Sequence, residues 1–161
     1  MTPAPPTRRE VAQSKYGAAR VNLSLMILLT ITNVVMLLCG SNRMMLFSAS
    51  IPYFAAGFGR ESGQPLWFGL GIALAVLLIA AYALCWWFSK KKYHWMTVAL
   101  VLFAVDTLGM IALYIVFQQL LSIWDILLHA WVMFDLIKGV INAHKLKAMA
   151  DDPLADWWDD M

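Results

Sequence analysis

From Ser62 to Ser89 the chain carries no charged side chain, and from Val21 to Asn42 it again carries none. Each stretch exceeds the roughly 20 residues that a helix needs to cross a hydrocarbon core of about 30 Å. A water-soluble domain of this size has too little interior to hide two such segments. Composition agrees: of 161 residues, 61% are hydrophobic and 14% are charged, whereas ordinary soluble chains are about 45–50% apolar and about 25% charged. That excludes a soluble globular domain, and disorder with it.

Reading for further spans gives four. They are Val21–Cys39, Trp67–Phe88, Trp95–Phe117 and Ser122–Ile141. The third is interrupted by Asp106 alone, while the fourth holds Asp125, His129, Asp135 and Lys138. In that fourth segment the apolar side chains favour insertion by on the order of 3–6 kcal/mol, and one deep and one shallow Asp nearly cancel this. It is therefore expected to enter as a hairpin with the third span, through the turn at Gln118–Leu121, with its polar groups facing protein. The predicted fold is all-α: a polytopic bundle of four transmembrane helices with an additional interfacial helix between spans one and two. The membrane domain covers residues 21–141, after a mobile basic segment (1–20) and before an acidic tail (142–161).

The connection between the first two spans is itself apolar. Met44, Phe47, Ile51, Ala55 and Phe58 share a face at helical spacing, and Pro52 interrupts it. The stretch 44–58 is too short to cross twice, so it is expected to lie in the outer interface or to re-enter slightly. Gly57, Gly59, Gly63 and Pro65 read as a linker. Trp67, Phe68, Tyr114, Phe117 and Trp124 mark one membrane interface, and Trp86, Trp87, Tyr93 and Trp95 mark the other.

Of the 12 lysines and arginines, only Arg43 and Arg60 fall at the first of these interfaces. The rest cluster before the first span, at Lys90–Lys92 and from Lys138 onward, which predicts both termini on the cytoplasmic side of the membrane. The net charge of +2 gives no case for nucleic acid. Cys39 and Cys85 fall near opposite faces, so they form neither a disulfide nor a metal cluster. No phosphate-cradling loop, zinc-protease motif or nucleophile elbow occurs. The expectation is a chain with no cofactor, no metal and no enzymatic activity.

Polar groups inside the spans are the candidates for function, because they are costly there. Asp106 lies about 16 Å deep. Counting from the turn sets it level with Asp135, and counting from the cytoplasmic ends sets it nearer His129. Asp125 and His129 share a face at i, i+4, Lys138 follows Asp135 by three, and Asn33 lies on a polar stripe of the first span with Asn22. Two roles fit this set: interhelical bonding that fixes packing, or a proton- or cation-linked path completed by an oligomer. Gly69/Ala73 and Gly71/Ala75 permit close helix approach, chiefly within the chain. Trp157 and Trp158, among the aspartates of the tail, suit either docking to a partner or resting on the membrane. Expected partners are the lipid bilayer and another membrane protein or a second copy.

The chain resembles small four-span bacterial membrane proteins in three places. These are Asn33 with Gly40–Asn42, the stretch Leu46–Tyr53, and Ile137–Lys145. The resemblance implies the four-span fold and brings no activity, cofactor or catalytic residue with it.

Overall fold

The computed structural model describes residues 6–41, 47–116 and 123–151. They form five helices: α1 (Arg8–Leu38), α2 (Ser50–Glu61), α3 (Pro65–Ser89), α4 (His94–Val116) and α5 (Ile123–Asp151). All but α2 are long and apolar enough to cross a membrane, so the chain has the build of a multi-pass membrane protein. Consecutive spans run antiparallel. Exposed leucines, valines and tryptophans, among them Leu66, Trp67, Leu77, Trp87, Val101 and Leu108, cover the outside of the bundle. In lipid such exposure costs nothing, so packing and interhelical hydrogen bonds have to hold the spans together.

Helix α1 begins earlier than the expected span. Residues 8–20 are helical rather than mobile. Thr7 accepts from the Glu10 amide at 3.2 Å, and the Glu10 carboxylate accepts from the Thr7 amide at 2.9 Å. This reciprocal capping box starts the helix immediately after the proline run. Ala12, Tyr16 and Ala19 are then buried on the bundle side, and the Tyr16 hydroxyl donates to the Ser89 carbonyl at 2.7 Å. Helix α5 likewise continues past Ile141 to Asp151, so the first half of the expected tail is helix. At its far end α1 closes with the two bonds of a Schellman motif, Ser41 to Met36 and Gly40 to Leu37. Gly40 takes the left-handed φ of 90° that this motif requires.

Helix α2 packs most extensively against α3. Gly57 and Gly59 lie within α2 and are not linker residues. A Cβ at Gly59 would stand 2.7 Å from the Trp67 carbonyl oxygen. Gly71 meets the Ala55 backbone and the Gly59 Cα in turn. The pair Gly71/Ala75 therefore serves contact within the chain, whereas Gly69 faces open space. The main core lies between α1, α4 and α5, around Leu23, Met26, Met96, Phe103, Val132 and Leu136.

Two arginines close helix C-termini. Arg60 donates to the Leu37 carbonyl at 2.7 Å. Arg20 bonds the Ser89 hydroxyl at 3.0 Å and the Trp86 carbonyl at 3.3 Å. Each supplies a further donor and a positive charge at the carbonyl end of a helix. Both cysteines are free, Cys39 exposed and Cys85 buried, and they sit near opposite ends of the bundle.

Candidate functional site: polar nodes inside the bundle

The intramembrane polar residues do not form one cluster. They divide among three levels of the bundle.

The central node surrounds the start of α2. Its N-cap residue is Ala49, which has no side chain able to cap a helix. The cap comes instead from α4. One oxygen of Asp106 accepts from the Ser50 amide and the other from the Ile51 amide, each at 2.8 Å. The preceding amide, of Ala49, donates to Thr30 Oγ1 of α1 at 2.9 Å, and that hydroxyl donates onward to the Met26 carbonyl. One residue earlier, Ser48 Oγ accepts from Asn33 Nδ2 at 2.7 Å. Every one of these side chains is buried. Asp106 lies near the middle of α4, so α2 begins at mid-depth of the spans. The outer segment re-enters the bundle and does not simply lie on its surface. Irregular backbone at that depth survives only where protein satisfies its polar groups, and these side chains do so. Phe47, just before the turn, holds a left-handed φ of 67°. That conformation is costly for a bulky residue and persists where the surroundings fix it.

His129 of α5 completes this node. Its Nδ1 lies 3.0 Å from the Asp125 carbonyl oxygen, an acceptor without a proton, so Nδ1 carries the hydrogen. Nε2 then faces Ser50 Oγ at 3.3 Å and Asp106 Oδ2 at 3.6 Å. The ring stacks on Phe103, centroids 5.2 Å apart. Of the two residues that counting left open for Asp106, the structure brings it to His129.

Asp135 lies in a separate node, toward the lysine-rich end. Its Oδ2 accepts from Asn22 Nδ2 of α1 at 2.7 Å and from Trp131 Nε1 at 2.8 Å. Its Oδ1 stands 3.9 Å from Lys138 Nζ, which also sits over the Phe134 ring. At the opposite end Asp125 accepts from the Tyr114 hydroxyl at 3.0 Å, tying α4 to α5. Among the described residues no buried side-chain nitrogen or oxygen lacks a hydrogen-bond partner.

The sequence reading passes over Thr30, Ser48 and Ser50. The signal for them was slight: short hydroxyl residues are ordinary in apolar helices, and only their level relative to the outer segment makes them matter. Trp157 and Trp158 lie outside the described residues.

Comparison with known protein families, curated proteins and solved structures finds no match to this chain.

Proposed function

We propose that this is a non-enzymatic multi-pass membrane protein that acts through interactions, as an accessory, assembly or interaction subunit in the plasma membrane with both termini cytoplasmic. The observation that carries this reading is how Asp106 is used. Both its oxygens bond backbone amides of α2, so the most deeply placed acid of the bundle serves to hold one helix in place. A relay would need that carboxylate open to water or to a moving ion.

The same geometry weighs against a hydrolytic reading. Ser50 and Asp106 face the same nitrogen of His129, whereas a serine relay needs acid and serine on opposite nitrogens. The two amides that would suit an oxyanion hole are occupied by Asp106. What supports an interaction role is a bundle whose deep polar side chains are spent on internal bonds.

The test is extraction in mild detergent followed by size and stoichiometry measurement. A partner subunit retained at fixed ratio, or a defined homo-oligomer, is the expected result. Purified monomer that conducts protons in liposomes, with conduction abolished by Asp106→Asn in protein of normal thermal stability, would overturn the reading. Cysteine labelling at Lys91 from the cytoplasmic side checks the orientation.

A further inference from the structure

Between α1 and α5, at the end of the bundle that also bears Lys90–Lys92, lies a groove of roughly 350 Å³. Lys15, Lys138 and Lys145 border it, Asn22 and Asp135 form its deep end, and Ala18 and Ala19 form part of its floor. A second hollow of roughly 410 Å³ shares Lys15 and Lys145 and continues the basic surface to Arg8. We propose that this groove binds the phosphate headgroup of an anionic phospholipid.

Four observations carry the proposal. First, the charge is unbalanced. Lys15 and Lys145 are exposed and make no ion pair or hydrogen bond through their ammonium groups among the described residues. Asp135, the acid lining the groove, stands 3.9 Å from Lys138, which leaves Lys15 and Lys145 without a counter-charge among the described residues. Second, the cations converge from two helices, which one amphipathic face of a single helix would not produce. Third, the depth fits. Asp135 to Lys145 spans about 15 Å at 1.5 Å per residue, enough to run from the hydrocarbon boundary through the headgroup layer of one leaflet. Fourth, exposed apolar residues flank the groove and its deep end, with Val21 and Leu25 on α1 and Phe134, Ile137 and Ile141 on α5. A phosphate among the lysines would thus have lipid-facing surface beside it for its acyl chains. A soluble phosphate has no use for that surface. Basic pockets between spans at an anionic leaflet are a recurring means of headgroup recognition.

The full-length protein, purified in a mild non-ionic detergent, is titrated with phosphatidylglycerol or phosphatidylcholine, and lipid-bound species are counted by native mass spectrometry. One phosphatidylglycerol is expected to bind at least about tenfold more tightly than phosphatidylcholine. Each lysine near an anionic headgroup is worth about fivefold in affinity. Lys145→Gln should therefore weaken binding about fivefold, and Lys15→Gln/Lys138→Gln/Lys145→Gln on the order of a hundredfold. The triple change at Lys90–Lys92 removes as much charge from the same end but lies outside the groove, and it should leave the tight site intact. Asp135→Asn should strengthen binding.

Equal binding of the two lipids would overturn the proposal, as would equal losses from the loop triple and the groove triple. Displacement of the lipid by millimolar inorganic phosphate would reassign the site to a soluble anion. Should the groove triple fail to fold, the exposed single variants Lys15→Gln and Lys145→Gln decide the matter: unchanged selectivity in both would overturn it.

Discussion

Asp106 and Asp135 are the same residue type, both sit within helices that cross the membrane, and both stood out in the sequence for the same reason. The structure gives them different chemistry. Asp106 is 2% exposed and offers its two oxygens to two different backbone amides of α2. Asp135 is partly exposed, takes both of its hydrogen bonds on one oxygen, and takes them from side chains. A carboxylate bonded through both oxygens to backbone fixes the path of the chain. One bonded through a single oxygen to side chains ties two helices together and can tolerate change. Cost of insertion flags both positions equally, and only the donor set separates their roles.

The contrast is broken or upheld most directly by removing the Asp106 carboxylate. Asp106→Ala leaves two buried amides without partners, at about 1–3 kcal/mol each. A loss of about 2–6 kcal/mol is therefore expected, with α2 released from the bundle. Asp106→Asn keeps one acceptor but turns an NH₂ group toward the second amide, so it should recover less than half of that loss. Thermal denaturation in detergent measures the stability. Limited proteolysis between Phe47 and Glu61 measures the release. An Asn variant as stable as the parent would mean that the carboxylate does not cap α2.

The other attachment of α2 is made of absence. Gly59 and Gly71 let α2 and α3 approach until backbone meets backbone. Gly71→Leu places a side chain into the Ala55 carbonyl, and overpacking of that kind costs about 1–3 kcal/mol. Gly69→Leu, two residues away and facing open space, should cost little in the same melt. If both changes are silent, the helix is held by its polar start and by the Arg60 bond to Leu37. If Gly71→Leu matches the effect of Asp106→Ala, the two ends of α2 form one cooperative unit.

Much of this was legible in the sequence because the membrane imposes simple arithmetic. Two uncharged runs mark the first two spans, long apolar runs broken by few charges mark the other two, and Asp106 interrupting the third was visible at once. Its partner was harder to find. A helix cap is ordinarily read from the residue just before the helix, and Ala49 gives no such sign. The cap arrives from a residue 56 positions away, which no local pattern encodes. For the same reason the sequence left the outer segment open between lying in the interface and re-entering slightly: its apolar face suits lipid and protein interior equally. The early start of α1 is a different case. Thr7 and Glu10 have the spacing of a capping box, but the prolines and arginines around them read more strongly as an unstructured end. The division into three nodes also required the register between α4 and α5. Two ways of counting led to different levels of α5, one near His129 and one near Asp135, about one and a half turns apart.

The smallest expected effect is also the one that sharpens the comparison most. Asp135→Asn keeps an oxygen where Asn22 and Trp131 both donate, because the two share Oδ2. It gives up only the contact with Lys138, which is long at 3.9 Å and involves an ammonium group half exposed. Ion pairs of that kind contribute about 0–1 kcal/mol, so Asp135→Asn should lower stability by less than about 1 kcal/mol. Asn22→Leu removes one of the two donors and should cost more than the change at the acid itself, because an α1–α5 bond is then lost outright. Should Asp135→Asn destabilise the bundle as much as Asp106→Asn, the charge of Asp135 and not its acceptor oxygen would be what α5 depends on. The distinction between a carboxylate that caps backbone and one that ties side chains would then fail.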